Sequence, residues 1–270
     1  MTLHHLPTNV RAVVFDVDNT LLKGTTVYHA VSSLNMLPST EKKKLIRLAS
    51  HNLIYTLFSF ENGLDFLKKE GLSLVKGHES ELFKTYLQNQ LRQKIDKKLY
   101  SSMMRNIEHY KNENKIIILA SADPDFLVEI VSEKVEADYY IATKLEEIDN
   151  IFTGSTVGEI NHGIIKAKNV ARLLQELKIE QIDVAAFTDS NKDFYLLESA
   201  GEKIAVNPDL LLRYKSLKNN WVILDVSPKY LVTKTVGLSA SIALTYFCAK
   251  KVNYVRKTRN TKFKAVVNGT

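Results

Sequence analysis

A single cysteine, Cys248, leaves the 270-residue chain unable to close an intrachain disulfide and fits a reducing compartment. Five prolines and ten glycines exclude a low-complexity composition, and no internal repeat is present. The first eleven residues lack the apolar run of a signal peptide, so a cytoplasmic location is expected. None of the seven histidines falls in a metal-type spacing. Acidic residues are absent after Asp225, where Lys229, Lys234, Lys250, Lys251, Arg256, Lys257, Arg259, Lys262 and Lys264 place nine positive charges. The formal charge is +7, and 7 − 9 leaves the preceding body at −2. The basic balance therefore describes the tail alone. Hydrophobic content of 45% and charged content of 25% are ordinary for a globular protein with a sizeable core.

What is present is organised around Val13-Val14-Phe15-Asp16-Val17-Asp18-Asn19-Thr20-Leu21-Leu22. Three apolar residues, two of them β-branched, predict a buried strand, and two carboxylates follow where it ends. In an open α/β sheet, ligands bind beyond the carboxyl ends of the strands. Two like charges this close call for compensation, most simply by a cation.

From about residue 25 to 110 the sequence has helical periodicity. Leu45, Leu48, Ala49 and Leu53 share one face, and Leu82, Phe83, Tyr86, Leu87 and Leu91 form an apolar stripe on another segment. Strand and helix then alternate. Strands are expected at 115–120, 139–142, 182–187, 203–206 and 222–224, a hairpin or flap at 151–157, and helices after Pro124, Gly163, Asp193 and Pro208. Trp221 is expected in the core, His4 and His5 in a mobile terminus.

Several of these strands end in groups suited to phosphate chemistry. Ser121 alone reads as a helix cap, Lys166 as a solvated helix face with Lys168 as its competitor, and Asp189 and Asp193 as a cap with a first-turn acid. In combination and in this order that shared explanation fails. A carboxylate such as Asp16 can attack phosphorus, and Asp18 can protonate the leaving alkoxide and then deprotonate water. Ser121 and Lys166 can hold the equatorial oxygens, while Mg²⁺ bridges the repelling anions.

Phe15-Asp16-Val17-Asp18-Asn19-Thr20-Leu21-Leu22, Leu119-Ala120-Ser121-Ala122, Gly163-Ile164-Ile165-Lys166 and Asp189-Ser190-Asn191-Lys192-Asp193 together resemble the four motifs of the haloacid dehalogenase (HAD) superfamily. The helical insertion after the first motif resembles the type C1 cap of the phosphoserine-phosphatase-like subgroup, and Val206-Asn207-Pro208-Asp209 is also typical there. The resemblance implies an α/β fold, a Rossmann-like doubly wound parallel sheet with an inserted all-helical cap. Residues 1–24 and 101–226 would form the catalytic core, 25–100 the cap, and 227–270 a basic tail with an apolar helix. It implies Asp16 as nucleophile and Asp18 as acid/base, with Ser121, Ala122, Lys166 and Asn19 binding the substrate phosphate. Asp16, Val17, Asp18 and Asp189 would hold Mg²⁺, supported by Asp193, Ser190 and Thr20. The implied activity is a Mg²⁺-dependent phosphomonoesterase acting through an aspartyl-phosphate on a small phosphorylated metabolite or phospholipid-related headgroup. The alternatives are a phosphotransferase and a membrane- or partner-associated phosphate-binding module without turnover. Two departures stand out. Thr188 replaces the usual glycine before the fourth-motif aspartate, and Thr25 stands where phosphoserine phosphatases carry the acid that meets the substrate ammonium.

Residues 235–249 are fifteen without charge, roughly 22 Å long as a helix against the roughly 30 Å of a bilayer core. A helix packed on the domain, an anionic-lipid anchor placing the protein peripherally at the inner face of a membrane, and a nucleic-acid or protein contact are the three readings of the tail. Nucleic acid is the least favoured of these partners.

Overall fold

The computed structural model describes residues 4–31, 72 and 75–226. Among the described residues six parallel strands form one sheet in the order β3-β2-β1-β6-β7-β8. They are β1 (Ala12–Phe15), β2 (Ile116–Pro124), β3 (Tyr139–Thr143), β6 (Val184–Thr188), β7 (Glu202–Val206) and β8 (Val222–Leu224). An antiparallel hairpin of β4 (Leu145–Ile148) and β5 (Ile151–Thr156) stands apart from the sheet. The chain runs outward from β1 through β2 to β3, then crosses to the other side of β1 for β6, β7 and β8. That reversal puts the crevice at the carboxyl end of β1, where a doubly wound sheet takes its ligands.

Strand β1 is central because it is apolar on both faces. Val13 and Phe15 join Leu119, Phe187 and the helices α3 (Ser101–Asn112) and α4 (Asp125–Val135) on one side. Ala12 and Val14 join Ile118, Ala120 and the helices α5 (Ile164–Glu176), α6 (Phe194–Ser199) and α7 (Leu210–Lys218) on the other. Covering both faces with helices is what a continuous apolar strand requires. Phe15 packs on Phe187 at 4.6 Å between ring centroids, with Tyr110 next to both. The Tyr110 hydroxyl donates to the His4 carbonyl at 2.8 Å, so His4 is packed against the body, not mobile as the sequence suggested.

The sequence-level elements shift at their edges. Strand β2 runs on past Ala120 to Pro124 with an irregular register, so Ser121 and Ala122 belong to the strand end. A 3-10 turn at Gln181–Asp183 displaces the start of β6 to Val184. Of the expected helical insertion, α1 (Thr26–Val31) and α2 (Ser80–Lys98) are described, and the tail from residue 227 lies outside the described residues, as do Leu45, Leu48, Ala49 and Leu53. On α2 the buried stripe is Leu87, Leu91 and Ile95, whereas Leu82 is 58% exposed. Spacing by four through Ile95 is the helical repeat that tertiary contact selected. Trp221 is half-buried and stacks on Phe194 at 5.7 Å. Among the described residues no helix is long and apolar enough to cross a membrane.

Gly201, leading into β7, donates its N–H to the Gln181 carbonyl at 2.9 Å. A Cβ there would lie 1.9 Å from the Ile182 carbonyl oxygen, a backbone atom with no rotamer to move. Gly201→Ala should therefore lower stability by at least about 1–3 kcal/mol, read as a lower midpoint in urea unfolding.

Candidate active site

Asp16 follows β1 directly, and its N–H donates to the Phe187 carbonyl at 2.9 Å, which ties the end of β1 to the end of β6. The residue is 6% exposed. The Lys166 ammonium donates to its Oδ1 at 2.8 Å and the Thr20 hydroxyl to its Oδ2 at 3.1 Å. Lys166 also reaches Asp193 Oδ2 at 2.7 Å, and Thr188 Oγ1 donates to the same oxygen at 3.1 Å. Lys166, 2% exposed, thus lies between two carboxylates that are themselves buried.

Helix geometry explains why Lys166 and not Lys168 is inside. Lys166, Val170 and Leu174 recur every four residues on the buried stripe of α5, while Lys168 faces solvent. A lysine in the first turn opposes the helix dipole, and burial alone would lower its pKa. The charges of Asp16 and Asp193 more than offset both effects and hold it above its ordinary value. Burial pushes Asp16 up to about 6, with Lys166 opposing and Asp193 reinforcing the rise.

Asp18 faces the start of α1. The Thr26 N–H donates to its Oδ1 at 2.9 Å. Its carboxyl also meets that of Asp123, and the Thr26 hydroxyl donates to Asp123 Oδ2. Burial, then Asp123, then Asp16, raise Asp18 well above the usual carboxylate range, and burial raises Asp123. Ser121 is buried at the end of β2, where its Oγ accepts the Asp123 N–H at 3.2 Å. Asn161 holds the Ser121 carbonyl at 2.8 Å, and the Ala122 carbonyl accepts from the Thr143 hydroxyl at 2.7 Å.

The fourth segment is organised by Asp209. Its Oδ2 accepts the Asn191 N–H at 2.7 Å and the Ser190 hydroxyl at 3.3 Å, and its Oδ1 caps α7 through Leu212 N–H at 2.8 Å. Its own N–H donates to the Asp189 carbonyl at 2.8 Å. The Asp189 side chain is buried near Tyr100, whose hydroxyl is pushed up to about 12 by burial and by the Asp189 charge. Thr188 is therefore more than a tolerated replacement for glycine, since its hydroxyl orients Asp193.

Two expected ligands already carry hydrogen bonds within the loop. The Val17 carbonyl accepts the N–H groups of Leu21 (2.9 Å) and Leu22 (3.0 Å), which engages both of its lone pairs. Asn19 sits at φ 57° and its Oδ1 accepts the Gly24 N–H at 3.2 Å, so its side-chain oxygen shapes the loop. Sequence reasoning passed over Asp123, Thr26, Asn161 and Asp209. Asp209 was accessible as an N-cap before an apolar run. The Thr26–Asp123 and Asn161–Ser121 contacts span 97 and 40 residues of chain, a separation no local pattern reports.

Asp16 and Asp189 supply oxygen donors from adjoining strand ends, which suits a hard divalent cation such as Mg²⁺. Among the described residues no group of three or more His, Cys, Asp or Glu side chains could hold an ion by itself. A cation here would complete its shell from main-chain and water oxygens, as Mg²⁺ commonly does.

Known proteins resemble this chain in sequence and in fold. The model of the haloacid dehalogenase-like hydrolase family matches residues 13–198. The chain is 25% identical over 235 residues to a Mycobacterium tuberculosis protein named phosphoserine phosphatase SerB1, covering 86% of this chain and 76% of that one. The fold is similar to that of a Bordetella pertussis protein of unknown function, with TM-score 0.69, 21% identity and coverage of 80% and 99%. It is also similar to a phospho-aspartyl intermediate analogue of phosphoserine phosphatase, with TM-score 0.61, 19% identity and coverage of 80% and 93%.

Removing one partner of a buried ion pair strands the others. Lys166→Met should lower unfolding free energy by about 3–5 kcal/mol in metal-free protein, and adding Asp16→Asn to it should recover part of that loss. Additive losses in urea unfolding would contradict the bridging geometry.

Proposed function

The chain belongs to the haloacid dehalogenase-like hydrolase family, and on that premise we propose that it is a Mg²⁺-dependent phosphomonoesterase working through a phosphorylated Asp16. The observation that carries this reading is the Lys166 ammonium held at 2.8 Å from Asp16 and 2.7 Å from Asp193, with Asp18 two residues beyond. A carboxylate nucleophile, a fixed cation and a second, separately held carboxyl are what acyl-phosphate chemistry requires.

An Asp16 oxygen attacks phosphorus, the bond from phosphorus to the leaving oxygen breaks, and Asp18 gives that oxygen its proton, releasing an alcohol. Water then attacks phosphorus, Asp18 takes its proton, and the bond to Asp16 breaks, releasing inorganic phosphate and the original carboxylate. Lys166 and the end of β2 at Ser121 receive the phosphoryl oxygens. Asp16 and Asp189, with an oxygen from Asp18, would hold Mg²⁺, which neutralises the repulsion between the phosphate dianion and Asp16 when bound.

The substrate is a small phosphorylated metabolite. Thr25 supports one other than phosphoserine. It brings no carboxylate for an ammonium group, and its Oγ1 is used to accept the Tyr28 N–H at 3.1 Å, capping α1.

Asp16→Asn should reduce hydrolysis of an aryl phosphate below about one-thousandth of wild type while the circular dichroism spectrum is kept. Substantial residual turnover removes Asp16 as nucleophile. Mg²⁺ should raise the thermal midpoint at pH 7.5, and that rise should shrink as pH falls through about 6. The sign follows because proton and cation compete for Asp16, whose carboxylate form is depleted below that pH. A pH-independent shift would place the ion elsewhere.

A further inference from the structure

Asp123 lies outside the four sequence motifs, yet it closes a ring of contacts around the acid/base candidate. Thr26, fully buried at the start of α1, donates its N–H to Asp18 Oδ1 at 2.9 Å and its hydroxyl to Asp123 Oδ2. The Asp18 and Asp123 carboxyls meet each other, and the Asp123 N–H donates to Ser121 Oγ at 3.2 Å. The ring therefore joins the loop after β1, the start of α1 and the end of β2. The terminal torsion of an aspartate is broad, so a single hydrogen bond to Oδ1 leaves the carboxyl free to swing. A second carboxyl, itself fixed by Thr26, removes that freedom. Proton transfer in either half-reaction depends on where the Asp18 oxygen points.

We propose that Asp123 is a positioning residue for Asp18, acting with Thr26 to aim the Asp18 carboxyl at the leaving oxygen and later at the attacking water. This role rests on the phosphomonoesterase reading. It predicts a dependence on leaving group that a merely structural residue would lack. An alkyl ester needs its leaving oxygen protonated, whereas an aryl ester with an acidic phenol leaves with little assistance. Water attack on the phosphorylated enzyme needs Asp18 for both.

The test uses full-length protein with Mg²⁺ and compares kcat/KM for an alkyl and a nitrophenyl phosphate. Asp123→Ala should lower the alkyl value by about 10–100-fold more than the aryl value. On the aryl ester kcat and KM should fall together, and the fraction of protein carrying an acid-stable phosphoryl mass at saturation should rise above wild type. Thr26→Val, which loses the hydroxyl and keeps the shape and charge, should shift the same ratio in the same direction and decides the matter if Asp123→Ala fails to fold. Asp123→Asn, able to accept from Thr26 and donate to Asp18, should return the ratio to within about 3-fold of wild type. Parallel losses on both esters, no loss on either, or no recovery with Asp123→Asn overturn the role. Wild-type protein that hydrolyses neither ester overturns the phosphomonoesterase reading itself, and this role with it.

Discussion

The ends of β1 and β6 are tied to α5 by one buried ammonium. Lys166 comes from the first turn of α5, and it binds carboxylates supplied after β1 and after β6. Burial raises the Asp16 pKa and the Lys166 charge opposes that rise, as a buried carboxylate requires. The lysine in turn sits against its own helix dipole only because two acids hold it there. Each of the three groups is unfavourable alone, and they are stable as a set. The segments that carry them are 150 and 27 residues apart in the chain, so the set exists only once the sheet has formed.

The sheet achieves this through strand order. Placing β1 between β2 and β6 aligns Phe15 with Leu119 and with Phe187, so the chain beyond all three emerges on one edge. Asp16 lies one residue past that level, and Ser121 and Asp189 two residues past it. The packing of Phe15 on Phe187 directly beneath the site fixes the separation of the strands there. A close-packed layer under the charged cluster limits how far those charges can drift, which matters for a reaction sensitive to ångström displacements.

Legibility in the sequence followed the range of the interaction. The strands were readable because continuous apolar runs such as Val13-Val14-Phe15 and Ile116-Ile117-Ile118 have no other use at that length. Lys166 was readable by its motif, and its four-residue spacing from Val170 and Leu174 accounts for its burial. The engagement of the Val17 carbonyl was not readable, because backbone hydrogen bonding within a tight loop leaves no trace in side-chain identity. Asp123 was passed over because a carboxylate after Ser121-Ala122 looks like a strand end in water. Its partner Thr26 lies 97 residues earlier, and only the fold brings them together.

The two carboxyl pairs at this edge are treated oppositely by their surroundings. Asp16 and Asp193 both accept from the Lys166 ammonium, which lies between them. Asp18 and Asp123 have no such cation between them and instead meet directly, with Thr26 donating to each. Burial, Asp123 and Asp16 raise Asp18 well above the usual carboxylate range, whereas the Lys166 charge opposes the rise at Asp16. The sequence writes both as aspartate, and the neighbours supplied by α5 and by α1 give the two carboxyls different surroundings.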